Sequence, residues 1–275
     1  MRFHAEDEAD DPDFARRLAE LGQVYVNDAF AASHRSHASV VGVGRYLPAY
    51  AGALMLSELE ALHTALDEPR RPLVAIVGGA KVSTKAGVLR HLLAKVDVLL
   101  IGGAMANTFF KAGGADVGSS FVEDEALDEA RSVQRQAGEK LGLPVDAVCA
   151  RKLEAGQETL VTPVGQVPEG WMILDIGPRS VEHFAERVRG AGTVVWNGPV
   201  GVFEIPEFSE GTRRLGEAVA SSGAYSLVGG GDTAAAVEQL GLAGRFSHVS
   251  TGGGATLEYM EGKELPGVAI LKEAG

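Results

Sequence analysis

Residues 73–85, LVAIVGGAKVSTK, decide how the chain folds. Their five leading apolar residues predict a strand that is buried on both faces, because a half-exposed strand alternates apolar and polar residues. The strand ends at Gly78 and Gly79, and apolar residues at helical spacing follow Ser83, which we expect to cap that helix. The stretch therefore predicts one strand–turn–helix unit of a parallel sheet.

The same pattern, an apolar run that ends at glycines, recurs at residues 98–101 (VLLI), 193–196 (TVVW), 225–228 (YSLV) and 248–250 (HVS). Residues 147–150 (AVCA) are a candidate for a further strand. Charged amphipathic helices are predicted over residues 123–141 and 213–220. Alternating strands and helices predict an α/β fold with a parallel, doubly wound, Rossmann-like sheet over about residues 72–261.

The first fifty residues follow a different pattern. They contain a short helical pattern (residues 14–21), a predicted strand (residues 24–26) and a polar loop rich in serine and histidine. An apolar-faced helix predicted over residues 54–66 looks like a connector between two units. The piece before it is too short to form a conventional sheet domain by itself.

Composition narrows the class of protein. The chain has 275 residues, 45% apolar and 23% charged, which is typical of globular proteins, and its net charge of −12 argues against nucleic acid or an anionic membrane as partner. The single cysteine, Cys149, cannot form an internal disulfide and is expected to pack in the core, which fits a reducing cytoplasm. We expect a cytoplasmic protein with no signal peptide and no membrane span.

Glycine is the unusual component, at 36 of 275 residues, nearly twice its average share of about 7%. Five glycine-rich turns on one sheet edge would let backbone N–H groups approach an anion, with helix N-termini behind them. Alternatively, the glycines merely form tight turns, although five on one edge favour a ligand. The sequence contains neither a G-x-x-x-x-G-K-[ST] loop nor a strand-linked G-x-G-x-x-G fingerprint.

Charged residues near these turns suggest which anion binds. Lys81 and Lys85, four residues apart beside a helix start, suit a polyphosphate or a transferring phosphoryl group, although either could simply be solvated. Asp232, which follows three glycines, could ligate Mg²⁺ or cap the next helix, or do both. Glu204 could accept hydrogen bonds from a ribose or lie on the surface.

Hydrogen-bond donors are also concentrated near the N-terminus, in His34-Arg35-Ser36-His37. Two histidines at this spacing without a third ligand make a poor metal site. Arg35 between the imidazoles of His34 and His37 suits a phosphate or a carboxylate better. Arg2 could equally be a frayed terminal arginine.

Six motifs, in family order along nearly the whole chain, resemble phosphoglycerate kinase. They are VYVNDAFAASHRSHAS (24–39), VAIVGGAKVSTK (74–85), IGGAMANTFFKAGG (101–114), WNGPVGVFE (196–204), GGGDTAAAVE (229–238) and STGGGATLEYMEGKELPGV (250–268). The resemblance implies a monomeric glycolytic kinase that catalyses 1,3-bisphosphoglycerate + ADP = 3-phosphoglycerate + ATP, with Mg²⁺ as cofactor. It also implies two α/β domains, one for phosphoglycerate and a C-terminal one for the nucleotide.

Carried over by this resemblance, the domain bounds are 1–51 (end of the phosphoglycerate-binding domain), 52–68 (interdomain helix), 69–261 (nucleotide-binding domain) and 262–275 (tail returning to the first domain). The implied catalytic residues are Lys81, Gly252, Gly253 and Gly254. Implied nucleotide-binding residues are Gly79, Ala80, Lys85, Gly102, Gly103, Asn197, Glu204, Gly230, Gly231, Asp232 and Thr233, with Asp232 on Mg²⁺. Implied phosphoglycerate-binding residues are Arg2, Arg35, His34 and His37.

The chain departs from the family pattern at its start, because its first residues match the end of the family's N-terminal domain. We therefore expect an incomplete N-terminal α/β domain with an exposed apolar surface. Small differences, such as Ala31 and Ala104 where glycine is usual, are minor. The alternative function is a truncated, catalytically silent nucleotide-binding module.

Overall fold

The computed structural model describes residues 1 and 3–272, and these form two compact units. Unit 1 comprises Met1–Thr64 and the chain from Ser250 onwards, and unit 2 comprises Ala65–Val249. Residues 250–261 thus pack with unit 1, whereas we expected them with the nucleotide-binding domain. The functional domain bounds remain a prediction.

The strands and helices are numbered in chain order. The strands are β1 (Tyr25–Asn27), β2 (Ala49–Ala51), β3 (Leu73–Val77), β4 (Val98–Ile101), β5 (Leu141–Gly142), β6 (Asp146–Ala150), β7 (Leu160–Pro163), β8 (Met172–Ile176), β9 (Thr193–Asn197), β10 (Tyr225–Gly229) and β11 (His248–Val249). The α-helices are α1 (Ala5–Glu8), α2 (Pro12–Ala19), α3 (Ala53–Leu66), α4 (Ala86–Lys95), α5 (Met105–Ala112), α6 (Leu127–Ala137), α7 (Pro178–Arg189), α8 (Glu210–Ala220), α9 (Gly231–Gln239), α10 (Gly254–Met260) and α11 (Pro266–Lys272). No α-helix of the described residues is long and apolar enough to cross a bilayer.

Unit 2 is built on a parallel sheet with the strand order β11-β10-β9-β3-β4-β5. All five residues of β3 are buried, which confirms the strand predicted from LVAIV. The chain winds outward from β3 through β4 to β5, and later from β9 through β10 to β11. The turns that follow β3 and β9 therefore lead in opposite directions, which opens a crevice at the carboxyl edge of the sheet.

The main core of unit 2 lies against this sheet. Ile76 and Trp196, from β3 and β9, are fully buried in one apolar cluster with Phe184 of α7 and Leu215 of α8. Helices α7 and α8 are amphipathic, so their apolar faces bury against the sheet while their charged faces remain outside. The core fixes the strand ends from which the glycine turns emerge.

A second sheet of unit 2, with the order β7-β6-β8, is antiparallel. The expected strand over 147–150 forms as β6, but it is not part of the parallel sheet. Cys149 is fully buried there, in a cluster with Val167 and Trp171, and burial raises the pKa of its thiol to about 11. This confirms that Cys149 packs in the core.

Two helix predictions in unit 2 were wrong in detail. The predicted helix over 123–141 is a 3₁₀ turn (Asp124–Ala126), α6 and a second 3₁₀ turn (Gly138–Lys140), which leads into β5. Gly138, at φ +51°, breaks the α-helix. Ser83 does not cap α4, because it lies in a 3₁₀ turn (Ser83–Lys85) and its hydroxyl donates to Glu123 instead.

Unit 1 contains a two-stranded parallel sheet, β1-β2, in which Val26 is paired with Tyr50. The Asn27 side chain at the end of β1 donates a hydrogen bond to the Gly267 carbonyl at 3.0 Å, which ties α11 to this sheet. Val26 and Tyr50 are 57% and 52% exposed. The expected exposed apolar surface is therefore present on this pair of strands.

Candidate functional site

A cavity of about 500 Å³ lies in unit 2 at the carboxyl edge of the parallel sheet. The turns after β3, β4 and β9 and the start of α9 line one side of it, and β6 and β8 line the other. The predicted residues among its lining are Gly79, Ala80, Lys81, Gly103, Glu204 and Asp232. These residues come from four separate motifs, and the fold brings them to one place.

Close backbone approach explains the glycines of these turns. A Cβ on Gly78 would lie 2.1 Å from the Pro199 carbonyl oxygen, so the turns after β3 and β9 are nearly in contact. Gly103, at φ +68°, adopts a backbone conformation that favours glycine. The Gly79 N–H donates to the Pro199 oxygen at 3.0 Å, and the Gly103 N–H donates to the Val200 oxygen at 3.0 Å. The three turns therefore form one hydrogen-bonded edge.

The polar groups of two motifs meet across the crevice. The ammonium of Lys85, which follows β3, donates a hydrogen bond to the side-chain oxygen of Asn197 at the end of β9. Asn197 is 1% exposed, and a Cβ on Gly230 would lie 3.0 Å from its amide nitrogen. Thr233, fully buried in α9, accepts a hydrogen bond from the Gly198 N–H at 2.5 Å. Residues 230–233 are thereby held beside the lysine.

Helix α9 settles the alternative for Asp232. Its N-cap is Gly230, at φ +90°, with no capping side chain, and Asp232 lies within the first turn. The reading of Asp232 as a helix cap was wrong, and its carboxylate lines the cavity instead. No group of three potential metal-binding side chains occurs among the described residues. A single carboxylate still fits Mg²⁺, which takes its other ligands from substrate phosphates and water.

The remaining nucleotide-site predictions also lie at this edge. Gly102, at the end of β4, packs against Val200, and a Cβ there would lie 2.5 Å from a Val200 methyl group. Gly231 begins α9 beside Asp232. Every predicted residue of unit 2 is thus in or next to the cavity.

Two buried carboxylates in the cavity wall were not expected from the sequence. Asp175, at the end of β8, accepts hydrogen bonds from the N–H of Gly211 at 2.7 Å and from its own neighbour Ile176 at 2.8 Å. Burial raises the pKa of Asp175 to about 8; these hydrogen bonds oppose the rise, and the charge of Glu210 adds to it. Asp175 therefore holds the first turn of α8 against the wall of the cavity.

Asp146, at the start of β6, has the same role for another helix. It accepts hydrogen bonds from the N–H of Ser180 at 2.8 Å and of Arg179 at 3.1 Å, both in the first turn of α7. A carboxylate at a helix N-terminus satisfies free N–H groups and complements the helix dipole. The two wall carboxylates thus fix two helices around the cavity.

The other predicted residues lie in unit 1. His34 lies against the backbone of Gly254, since a Cβ there would be 3.0 Å from the imidazole Nε2. Gly252 lies against Phe30, and the adjacent Thr251 donates two hydrogen bonds of 2.7 Å to Glu58. The structure therefore brings His34 together with the glycines 252–254.

The other residues predicted to bind phosphoglycerate are Arg35, His37 and Arg2. Arg35 and His37 are half-buried in the loop that contains His34, and the His37 carbonyl accepts hydrogen bonds from the N–H groups of Val40 and Val41. Arg2 lies outside the described residues.

Comparison with known proteins identifies the family. The glycine-lined edge with two lysines and an aspartate is typical of α/β phosphotransferases, and the family model described as phosphoglycerate kinase matches residues 1–263. The phosphoglycerate kinase of Rubrobacter xylanophilus is 56% identical over 99% of this chain and 69% of its own length. The chain belongs to the phosphoglycerate kinase family.

Solved structures agree with this assignment. The phosphoglycerate kinase of Coxiella burnetii is 48% identical, with a TM-score of 0.94 over 99% of this chain and 71% of that one. The enzyme of Pyrococcus horikoshii is 33% identical, with a TM-score of 0.86 over 99% and 71%. The expected fold class and the expected class of enzyme, a phosphotransferase, are confirmed. The comparisons do not support the alternative of a silent module.

Proposed function

We propose that the cavity of unit 2 binds Mg-ATP or Mg-ADP and that the chain transfers a phosphoryl group between ATP and the carboxylate of 3-phosphoglycerate. The observation that carries this proposal is the meeting of Lys81, Lys85, Asn197 and Asp232 at one glycine-lined edge. Two cations, an amide and a carboxylate beside glycine-rich turns match the needs of a metal-bound polyphosphate.

The geometry suggests a role for each group. Lys85, paired with Asn197, would hold nucleotide phosphates, and Lys81, which is exposed at the cavity, would follow the transferring phosphoryl group. Asp232 would hold Mg²⁺, which when bound would neutralise phosphate charge. Backbone groups at Gly79, Ala80, Gly230, Gly231 and Thr233 would contact phosphates, while Gly102 and Gly103 would border the adenine and Glu204 the ribose.

The phosphoglycerate groups belong to unit 1. We assign Arg35, His34 and His37, together with Arg2, to the phosphate and carboxylate of phosphoglycerate. Gly252, Gly253 and Gly254, at the start of α10, would stabilise the charge in transit.

The chemistry needs no covalent enzyme intermediate. A carboxylate oxygen of 3-phosphoglycerate attacks the γ-phosphorus in line, the bond to the ADP oxygen breaks, and the reverse reaction makes ATP. The side chains position the reactants and neutralise charge, and loss of one such group typically lowers kcat about 10²- to 10³-fold. We further propose that the protein acts in cytoplasmic glycolysis as a monomer, with no nucleic-acid or membrane partner.

Calorimetric titration with Mg-ADP tests the nucleotide site. We expect the folded wild-type chain to bind, and Lys85→Ala and Asp232→Ala each to weaken binding at least tenfold. Lys111→Ala, which removes an exposed lysine outside the cavity, is the matched control and should change affinity less than twofold. EDTA should weaken binding to the wild type and have little effect on Asp232→Ala. Absence of binding to the folded wild-type chain would overturn the proposal.

A coupled assay for 1,3-bisphosphoglycerate formation tests the catalytic half. We expect turnover by the wild type and a fall in kcat of about 10² or more for Lys81→Ala. Turnover by this chain would eliminate the silent-module alternative, whereas nucleotide binding without any turnover would favour it.

A further inference from the structure

Glu123 is a buried carboxylate that contacts the loop carrying both lysines. Only 5% of the residue is exposed, although it lies in the connection between α5 and α6. One carboxylate oxygen accepts the Ser83 N–H at 2.9 Å, and the other accepts the Ser83 hydroxyl. Glu123 therefore takes both hydrogen-bond donors of the residue that lies midway between Lys81 and Lys85.

The lysine loop, residues 81–85, is compact around this contact. The Thr84 hydroxyl donates to the Lys81 carbonyl at 3.0 Å, and the Lys85 N–H donates to the Val82 carbonyl at 2.9 Å. These bonds lie within the loop, so they set its shape. The bonds from Ser83 to Glu123 connect the loop to another part of unit 2.

Glu123 is itself anchored from the other side. Its N–H donates to the hydroxyl of Thr108, which is fully buried in α5, at 3.1 Å. The neighbouring Asn107 donates to the Phe121 carbonyl at 3.3 Å. The carboxylate therefore extends from a fixed backbone to the loop.

Glu123 carries a negative charge beside the lysine loop. Burial would raise the pKa of Glu123, but hydrogen bonds from Ser83 and the Val82 backbone, with the charge of Lys81, outweigh burial and leave the pKa below its ordinary value. The group is therefore anionic at neutral pH. A negative charge beside a polyphosphate site weakens anion binding through Coulomb repulsion. The charge of Glu123 therefore cannot explain a favourable effect on phosphate binding, whereas its hydrogen bonds to the lysine loop can.

We propose that Glu123 is a positioning residue that fixes the lysine loop and thereby places Lys81 and Lys85 on the phosphates of the nucleotide. This inference rests on the proposed function of the cavity. It does not make Glu123 a group that touches substrate.

The charge and positioning roles predict opposite results for Glu123→Gln. Loss of the negative charge alone would tighten Mg-ADP binding, whereas loss of loop positioning would weaken it. We expect calorimetry to show at least fivefold weaker binding, with the melting temperature close to that of the wild type. Glu125→Gln removes the same charge from an exposed neighbour, and this matched control should bind within twofold of the wild type. Unchanged or tighter binding by Glu123→Gln would overturn the inference.

Ser83→Ala provides the second arm. If Glu123 acts through Ser83, Ser83→Ala should also weaken Mg-ADP binding. The double variant should then bind Mg-ADP as tightly as the single variant that has the lower affinity. Fully additive losses would mean that Glu123 acts elsewhere and would overturn the inference.

Amide hydrogen exchange separates this inference from the proposed function, because it requires no nucleotide. In the ligand-free chain we expect Glu123→Gln to accelerate exchange at Ser83 at least tenfold and to leave α4 protected. Unchanged exchange at Ser83 would overturn the inference even where Mg-ADP binds. Failure of the wild type to bind Mg-ADP would overturn the proposed function, and exchange at Ser83 would still decide whether Glu123 holds the loop.

Discussion

The two sheets of unit 2 border the same cavity in different ways. The parallel sheet contributes the turns at its carboxyl edge, where backbones approach closely at Gly78 and where Lys81 lies. The antiparallel sheet contributes apolar side chains of β8, such as Leu174, together with Asp146 and Asp175. One side is therefore made of backbone turns and an exposed lysine, and the other of packed side chains with two aspartates that accept hydrogen bonds from helix N-termini.

This difference separates two requirements of the site. Phosphates need close backbone approach and cations, which short glycine-rich motifs supply. A flat, apolar ligand part needs a firm wall, and here the wall depends on helices fixed by buried carboxylates. Substitutions on the two sides should therefore lower stability for different physical reasons.

The largest effect is expected from Gly78→Ala on the parallel side. A methyl group there would lie 2.1 Å from the Pro199 carbonyl oxygen; the Cβ is fixed rigidly to its Cα and the carbonyl belongs to the backbone, so neither can move cheaply. We expect the free energy of unfolding, measured with urea, to fall by about 3 kcal/mol. Gly190→Ala, where a Cβ meets nothing within 4 Å, should change it by less than about 1 kcal/mol. If Gly78→Ala and Gly190→Ala changed the free energy of unfolding equally, the close backbone approach at Gly78 would not be what requires glycine there.

Asp175→Asn should produce a pH-dependent effect on the wall side. Because burial raises the pKa of Asp175 to about 8, the folded state keeps this carboxyl protonated where the unfolded chain has ionised it. Its contribution to stability is complete below about pH 4 and is lost as the pH rises through 8. Relative to Asp175→Asn, the wild type should lose about 1.4 kcal/mol of stability between pH 6 and pH 7.

Urea unfolding at several pH values measures this dependence, and Glu169→Gln, at an exposed position, is the control. Parallel curves for the wild type and Asp175→Asn would show that the Asp175 carboxyl does not titrate differently in the folded state. The stability contributed by the wall would then not depend on pH through Asp175, contrary to what its burial predicts.

The smallest effect is expected at an exposed contact beside the antiparallel sheet. The guanidinium of Arg151 lies 4.9 Å from the ring centroid of Trp171, a cation–π contact at an exposed arginine. Arg151→Gln should lower the free energy of unfolding by about 0.5 to 1 kcal/mol, and Lys152→Gln next to it should have less effect. A loss above 2 kcal/mol would show that the wall depends on this surface contact.

The sequence was informative about the parallel side and much less so about the wall. The strands β3 and β4 were predicted at their observed bounds, because buried parallel strands leave continuous apolar runs that end at glycines. Lys81 and Lys85 followed from their spacing and Asp232 from the three glycines before it, whereas Asn197 was implied only by the family resemblance. These features are local in sequence.

The wall could not be predicted in this way. A short run such as AVCA does not specify its pairing direction, so the sequence predicted a strand there without indicating that it belongs to a separate antiparallel sheet. Asp146 and Asp175 bind Ser180 and Gly211, which lie 34 and 36 residues further along, and no local pattern connects such partners. Glu123 was missed for the same reason, since Ser83 lies 40 residues before it.

The position of β3 at the centre of the parallel sheet has a consequence for the order of folding. On one side of β3, Val74 pairs with Val98 of β4, 24 residues along the chain; on the other side, Leu73 pairs with Thr193 of β9, 120 residues along. Closing so long a loop costs conformational entropy before the pairing compensates for it, which slows folding. During synthesis, β3 and β4 emerge early while the other edge of β3 waits for β9. The crevice that would receive the phosphates is therefore among the last features of unit 2 to form.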